Sequence, residues 1–493
     1  MIVQISCYLV SCIIPNSNIL SIGVTMPSRR NFLKMGGLAA ASLLTQCSPK
    51  SDKPNILLIF TDQQTWRAMS CAGNPHLSTP AMDRLAAGGF LFENAYCTSP
   101  VCGPARSSLI TSRMPHETGV EWNDGSSIKP DIPTMGHIFR EHGYRTVWAG
   151  KWHLPESYPL RAGSVQKEID DFDLLPFYDS SKNWPEWGYG DVTDEPLASA
   201  VVKFLQEPQD QPFLLAVSFC NPHDCCYLTR RPERYPPVRE IDKLPPLPSN
   251  YEIQPDEPEF TRQRRFIDHY GDEVLLSRDW GKSEWRAYLW NYYRMTERVD
   301  AAIGKVLDAV EANGLAKDTL VLFTSDHGDG AASHRWTAKL TLYEEPTRIP
   351  FLMRWPGQIP AGRIDSRHLV SHLDVLPTFC DYAGLSPLAL FRGKSLKKII
   401  DNPDATWRDH VVTELADDKL DSSRKGRMVR TLRYKYNIYS SGARNEQLFD
   451  LKYDPGETQN LVYEPAMGKI VKEYRERLDN WLEWTEDSFH VCN

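Results

Sequence analysis

Two short apolar runs, far apart in the chain, each end on an acidic residue, and they restrict the fold more than any other feature. Asn55-Ile56-Leu57-Leu58-Ile59-Phe60 stops at Thr61-Asp62, and Leu320-Val321-Leu322-Phe323 stops at Thr324-Ser325-Asp326-His327. Continuous apolarity without alternation marks a strand buried on both faces, as in parallel sheets covered by helices. The polar residues then fall at the C-terminal ends of strands, where open α/β sheets bind their ligands. Arg145-Thr146-Val147-Trp148-Ala149 and Phe213-Leu214-Leu215-Ala216-Val217-Ser218-Phe219 read as further strands, with helical periodicity over 79–87, 134–142, 198–205 and 288–313. This alternation predicts an α/β fold, a layered sandwich.

At 493 residues the chain exceeds what one compact core holds, so a large domain with a smaller companion is expected. The division falls near Leu385. Residues 53–385 carry the strand-and-helix alternation, and 386–493 read as an α+β subdomain. In the latter, 428–439 looks like a strand pair, Leu448-Phe449-Asp450-Leu451 a short strand, and 467–484 an amphipathic helix. The Pro- and charge-rich stretch 230–262 reads as a surface loop. A hydrophobic share of 41% is that of a soluble globular protein, and a net charge of -8 argues against nucleic acid as a partner, since phosphate backbones demand clustered cations. The 11 cysteines follow no regular spacing, so no disulfide scaffold is expected; Cys225 and Cys226 are adjacent.

The N-terminus reads as an export signal. Ser28-Arg29-Arg30-Asn31-Phe32-Leu33-Lys34 has the twin-arginine pattern, an apolar run follows, and Leu44-Thr45-Gln46-Cys47 has the form of a lipobox. Met26 is then the expected start, with 1–25 untranslated and 26–47 the signal. The apolar run is too short to span a bilayer, so any membrane attachment would be through a lipid on Cys47. Twin-arginine export machinery carries folded proteins. The expected location is therefore the periplasm or outer membrane of a Gram-negative cell.

The sharpest motif is Cys102-Gly103-Pro104-Ala105-Arg106, a C-x-P-x-R sequence. It stands in a series: Thr61-Asp62-Gln63-Gln64, Ser78 to Ala86, Leu109-Ile110-Thr111-Ser112-Arg113, Gly150-Lys151-Trp152-His153-Leu154, Asn221-Pro222-His223, Ser325-Asp326-His327-Gly328-Asp329, and Lys339 ahead of Leu342-Tyr343-Glu344-Glu345. In these motifs, from Asn55 to about Leu461, the chain resembles the sulfatase family. The resemblance implies an alkaline-phosphatase-like α/β/α sandwich with a large mixed, mostly parallel sheet, and Cys102 oxidised to formylglycine (3-oxoalanine) by a maturation enzyme. One hydroxyl of the hydrated aldehyde attacks sulfur, and the other later expels sulfate by collapse to the aldehyde.

Sulfate ester cleavage needs an in-line nucleophile, stabilisation of the sulfuryl oxygens, and a proton for the leaving alcohol. Residues 105–111 look helical, which would seat Cys102 at a helix N-terminus that favours an anion. The resemblance assigns Arg106 to holding the aldehyde hydrate and the metal ligands. One divalent cation, Ca²⁺ or Mg²⁺, would lie among Asp62, Gln63, Asp326, His327 and residue 102. Many sulfatases have aspartate at the place of Gln63 and asparagine at that of His327, so this site is less anionic, and imidazole is an unusual ligand for a hard cation. Lys151, His153, His223 and Lys339 fill the remaining positions that the resemblance implies: Lys151 and Lys339 would bind sulfuryl oxygens, His153 would deprotonate the nucleophile, and His223 would protonate the leaving group, the two histidine roles being exchangeable. His334 is a further candidate for proton donation and substrate contact.

The expected substrate is a sulfated carbohydrate, a glycosaminoglycan or algal polysaccharide fragment, by analogy of family and compartment. Trp184, Trp187, Tyr189, Trp280 and Trp285 are candidates to stack on sugars, and Arg230 and Arg231 to pair with a uronate. Two alternatives stand beside this reading: a phosphonate monoester or phosphodiester hydrolase of the same superfamily, and a non-catalytic protein that binds sulfated glycan.

Overall fold

The computed structural model describes residues 53–491 except 124–126, 155–170, 178–188, 231–242, 268–272 and 418–422. The export signal, Cys47, Trp184, Trp187 and Arg231 lie outside the described residues, as does the side chain of Tyr189. The unit from Lys53 to Asn493 is built on an eight-stranded sheet in the order β5-β4-β6-β1-β7-β8-β2-β9. Its strands are β1 (Asn55–Asp62), β2 (Phe90–Phe92), β4 (Arg145–Gly150), β5 (Asp173–Leu174), β6 (Phe213–Pro222), β7 (Thr319–Ser325), β8 (Phe351–Arg354) and β9 (Arg363–Asp365). The pairs β5-β4, β4-β6, β6-β1, β1-β7 and β2-β9 are parallel; β8 runs antiparallel to both β7 and β2. The sheet is thus mixed and mostly parallel. A two-stranded parallel pair, β3 (Ala95–Tyr96) with β10 (Val370–Ser371), lies beside it.

The continuous apolar runs do become strands buried on both faces. Ile56, Leu58 and Phe60 enter one core with Trp148, Leu214 and Leu322, while Leu57 and Ile59 enter the other with Val147, Leu215 and Phe323. The principal helices are α1 (Pro80–Gly88), α2 (Cys102–Thr111), α3 (Tyr189–Gln206), the short α4 (Cys225–Leu228), α5 (Lys282–Ala312), α6 (Val375–Tyr382) and α7 (Gly468–Thr485). Leu85, Val201, Val299 and Ile303 of α1, α3 and α5 fill the second core, and Leu109 and Phe379 of α2 and α6 fill the first. The α/β/α layering follows from this split.

A second, antiparallel sheet joins β11 (Val411–Ala416), β12 (Lys425–Arg430), β13 (Tyr434–Tyr439) and β14 (Glu446–Asp450) in that order. Alternation gives it two apolar faces. Val412, Val429, Tyr436 and Leu448 pack under Val471, Tyr474 and Leu478 of α7. Val411, Leu415, Met428 and Tyr439 pack instead on Tyr96, Val101, Leu340 and Leu342, the segments that carry Cys102 and Lys339. The small sheet therefore buttresses the nucleophile from below. Leu396, Ile399 and Ile400 pack into the first large core, so the layer that belongs to the second sheet starts at β11.

Candidate active site

Four adjacent parallel strands end side by side, and each delivers polar groups at its C-terminal end. In the order β4, β6, β1, β7 these are Lys151, His223, Asp62 and Asp326. The register pairs Thr61 with Ser325, which puts the two aspartates at neighbouring strand ends. At the end of β4 the chain turns sharply at Gly150, whose φ is +98° and where an added Cβ would lie 2.1 Å from the Ser218 carbonyl oxygen. Only glycine allows this approach, which is what brings Lys151 inward.

Helix α2 begins at Cys102 itself, three residues before the helical pattern in the sequence. Cys102 therefore sits in the first turn, among N–H groups that lack intrahelical partners. Its Sγ is 3.2 Å from His327 Nε2 and 3.7 Å from Asp62 Oδ1, and it accepts a hydrogen bond from Lys339 Nζ at 2.7 Å. Burial and Asp62 push the thiol pKa up, but Lys339, Lys151 and His327 outweigh them and hold it below its ordinary value.

Arg106, one turn further on, is fully buried and bridges both carboxylates. Its Nη2 donates to Asp62 Oδ2 and its Nε to Asp326 Oδ2, each at 2.9 Å. Nη1 donates to the Lys151 carbonyl at 2.7 Å and to Ser218 Oγ at 2.9 Å. One oxygen of each aspartate is thereby occupied, and the Oδ1 atoms face the cluster formed with Cys102 and His327. Within that cluster His327 Nε2 lies 4.0 Å from Asp62 Oδ1 and 3.7 Å from Asp326 Oδ1, and the four ligand atoms all fall within 4.8 Å of one another. Neighbouring ligands of a six-coordinate cation with bonds of ~2.3 Å stand about 3.3 Å apart, so the separations fit a small divalent ion after slight contraction. His327 Nδ1 lies 2.8 Å from the Gly328 carbonyl, to which it can only donate, and this leaves Nε2 to coordinate. Burial lowers the His327 pKa, yet Asp326 and Cys102 raise it above its ordinary value; a bound cation would take the place of that proton.

Lys151 and Lys339 close the cluster. Lys151 Nζ donates to Asp62 Oδ2 at 2.5 Å. Burial would raise the Asp62 carboxyl, but the cations Lys151, Arg106 and Lys339 hold it well below the usual carboxylate range. Burial opposes the Lys339 charge, whereas Cys102 and Asp62 raise its pKa, so it stays an ammonium. His153, buried and in a left-handed conformation at φ +57°, is held well below the ordinary imidazole value by burial and then by Lys151 and Arg106. Burial and Lys151 act likewise on His223. Both rings are neutral at neutral pH, as a general base must be.

Two residues singled out in the sequence lie differently. Gln63 has a φ of +71°, which turns its amide away: Nε2 donates to Asp329 Oδ2 at 2.8 Å and contacts Cys225 and Cys226 at 3.3 and 3.1 Å. Its backbone N–H still reaches Asp326 Oδ1 at 3.0 Å. Gln63 thus supports a ligand with its backbone, while its side chain belongs to a neighbouring polar cluster. His334 is buried against Tyr343, the ring centroids 4.0 Å apart and nearly parallel, and it groups with Glu345 and Glu457 rather than with Cys102. Burial lowers its pKa to about 4. Trp285 is a core residue packed among Tyr251, Trp280 and Tyr288. The seven described cysteines all carry free thiols.

Sequence reasoning missed Ser218, which anchors Arg106, and Asp329, which accepts from Gln63 and from Tyr288 Oη at 2.8 Å. Ser218, the polar residue in an otherwise apolar strand pattern, was a signal for the first.

Comparison with known proteins agrees with this geometry. The family model described as Sulfatase matches residues 54–385, and that described as N-sulphoglucosamine sulphohydrolase, C-terminal, matches 332–483. A Delta 4,5-hexuronate-2-O-sulfatase of Bacteroides thetaiotaomicron is 31% identical over 464 residues, covering 92% of this chain and 93% of its own. An N-acetylglucosamine-6-O-sulfatase of the same organism is 27% identical, covering 96% and 94%. The solved structure of a 2-O GAG sulfatase superposes with a TM-score of 0.76 at 30% identity, over 90% of this chain and 95% of that one. The mixed sheet with its C-terminal subdomain is thus the alkaline-phosphatase-like fold.

Proposed function

Since the chain belongs to the sulfatase family, we propose that it removes O-sulfate from a carbohydrate, a glycosaminoglycan or algal polysaccharide fragment, using formylglycine made from Cys102. The observation that carries this reading is the placement of Cys102 Sγ between Lys339 Nζ at 2.7 Å and the Asp62, Asp326 and His327 donors, at the start of a buried helix. A thiol so enclosed has no packing role that needs two cations and two carboxylates around it. The names of the relatives, which act on hexuronate 2-O-sulfate and N-acetylglucosamine 6-O-sulfate, favour a sugar substrate.

A divalent cation, Ca²⁺ or Mg²⁺, held by Asp62, Asp326, His327 and residue 102, would supply Lewis-acid polarisation at the sulfuryl group. Lys151 and Lys339 neutralise charge on the sulfuryl oxygens as the transition state forms. Neutral His153 accepts the proton of the attacking hydroxyl. His223 protonates the leaving alcohol; the substrate's negative charge beside it offsets Lys151 and raises its pKa on binding. Arg106 holds one oxygen of each aspartate, so that the Oδ1 atoms stay on the side of Cys102 and His327. We place the catalytic domain at 53–385 and the subdomain at 386–493, whose first part, Leu396 to Ile400, packs back on the catalytic core, and we take the N-terminal segment as a twin-arginine and lipoprotein signal that delivers the enzyme to the periplasm or outer membrane after a maturation enzyme has acted in the cytoplasm.

Peptide mass analysis of active protein tests the nucleophile, and sulfate release from a panel of sulfated mono- and disaccharides tests the substrate. Formylglycine at 102 with release from a sugar is expected. An unmodified thiol in every active molecule, or faster cleavage of a matched aryl phosphodiester than of the aryl sulfate, would overturn the reading.

A further inference from the structure

Strand β6 ends in a turn that carries three metal-binding donors, of which the reaction proposed above uses one. The His223 N–H donates to the Cys220 carbonyl at 3.1 Å, so Cys220 and His223 are the first and fourth residues of a tight turn, and Asp224 follows. Two residues between ligands is a spacing typical of zinc sites. The donor atoms of Cys220, His223 and Asp224 all lie within 4.8 Å of one another, and the group shares no residue with the cluster of Asp62, Cys102, Asp326 and His327. Around a tetrahedral zinc with bonds of ~2.0–2.3 Å, ligand atoms stand about 3.5 Å apart, so the turn closes on an ion with about 1 Å of side-chain rotation.

Two further observations point to a cation at this turn. The first is an orphaned atom. His223 Nδ1 is buried and has no hydrogen-bond partner among the described residues, whereas buried polar atoms are nearly always bound by something. The second is charge. Asp191, Asp194 and Asp224 converge beside the turn: Asp194 accepts the N–H groups of Cys220 and Asn221 at 2.8 and 2.9 Å, and Asp224 accepts that of Asp191 at 3.1 Å. Arg298 pairs with Asp191 at 2.8 Å. Lys151, whose charge reaches Cys220 and His223, is itself matched by Asp62 at 2.5 Å. Burial and then the Asp191 charge push the Asp224 carboxyl well up, as crowding of like charges requires. The donor set selects the ion. A thiolate, an imidazole and a carboxylate suit Zn²⁺, whereas Ca²⁺ and Mg²⁺ take oxygen.

We propose that Cys220, His223 and Asp224 form a zinc site that switches the enzyme off. As Zn²⁺ binds, the Cys220 thiol gives its proton to solvent, and the thiolate, His223 Nδ1 and an ionised Asp224 oxygen become ligands, with water in the fourth position. Cys220 and Asp224 are buried and His223 is partly exposed, so the ion enters past the imidazole ring. With Nδ1 on the metal the ring keeps one proton, on Nε2, and cannot take a second. It therefore cannot become the imidazolium that protonates the leaving alcohol. This consequence rests on the role given to His223 above; the binding of zinc does not.

The test uses the full chain with Ca²⁺ or Mg²⁺ in excess, which fills the Asp62 site. Co²⁺ stands in for Zn²⁺ as the probe, because its bond to a thiolate gives a near-ultraviolet charge-transfer band that oxygen and nitrogen ligands do not. In the Cys102→Ala protein, which has no thiol at 102, Co²⁺ is expected to produce this band and Zn²⁺ to displace it. The band should vanish with Cys220→Ala and persist with Cys226→Ala. In the matured enzyme Zn²⁺ should inhibit aryl sulfate hydrolysis, and Cys220→Ala should raise the half-inhibiting concentration by about tenfold or more while leaving the zinc-free rate unchanged. Absence of the band, its survival in Cys220→Ala, or inhibition that Cys220→Ala does not relieve would overturn the proposal. Should Cys220→Ala melt early, Asp224→Asn keeps the thiolate and is expected to weaken Co²⁺ binding by about tenfold or more; unchanged affinity would count against the site. Failure of the proposed activity would appear separately, as no sulfate released in the absence of zinc, and would leave the cobalt titration as it is.

Discussion

Replacement of Arg106 by methionine is the perturbation whose consequence the structure defines best. The side chain is fully buried and supplies four hydrogen bonds, two of them to the buried carboxylates of Asp62 and Asp326. Removing one partner of a buried ion pair costs ~3–5 kcal/mol, because the remaining charge is left without compensation. The lower part of that range applies here. Asp62 keeps Lys151 at 2.5 Å, and Asp326 keeps the N–H groups of Gln63 and His327 at 3.0 and 2.8 Å. Unfolding entropy scales at about 2.1 cal/mol/K per residue, so for the unit Lys53–Asn493 a loss of ~3 kcal/mol lowers the melting temperature by about 3 °C. A divalent cation should restore much of it, since the variant site is more anionic. Differential scanning calorimetry with EDTA, and again with excess Ca²⁺ or Mg²⁺, measures both effects. A melting temperature within about 1 °C of the parent in EDTA would refute the reasoning, because it would mean that Arg106 does not compensate two ionised carboxylates.

Lys339→Met should lower kcat by roughly 10²–10³ with a smaller effect on KM, since the ammonium lies where sulfuryl charge develops; steady-state kinetics on an aryl sulfate checks it. Saturating the unmutated protein with its cation at a hundredfold excess over Kd should stabilise it by about 2.7 kcal/mol, or about 3 °C, and a melting temperature indifferent to Ca²⁺ and Mg²⁺ would count against the Asp62–Asp326–His327 site. Burial lowers the pKa of His116, but Glu414 at 2.6 Å raises it to about 9. A raised folded-state value means that this stability is fully present below the unfolded pKa near 6.5 and is lost as pH climbs towards 9. The melting temperature should therefore fall across that window, and the fall should flatten in His116→Gln. His153, held well below its ordinary pKa, should keep the acid limb of kcat/KM below about pH 6.5; a limb above that value would argue against its role as the base.

Much of the architecture could be read from residue order, because it rests on local rules. Unbroken apolar runs specified β1 and β7 as doubly buried strands, and their terminal aspartates indicated the ligand-binding edge before any contact was known. The helices over 79–87 and 134–142 and the C-terminal strand pair followed from periodicity in the same way. Short elements were not legible: β2, β8 and β9 are three or four residues long, too few to show a period, and they become strands only because neighbouring strands offer free edges.

The chemistry divides along the same line. The motifs, and the family resemblance they carry, were enough to nominate Cys102, Arg106, the two aspartates and the two lysines, a set that answers the needs of a sulfuryl transfer. Orientation was not encoded there. Gln63 and His334 carry left-handed backbone angles that swing their side chains into other clusters, and the choice of such angles depends on long-range contacts with Asp329, Tyr343 and Asn250. The cavity that α7 forms with residues 371–412 likewise draws on segments some hundred residues apart, so no stretch of sequence contains it. Local order selects which groups are present; the packing of distant segments decides which of them face one another.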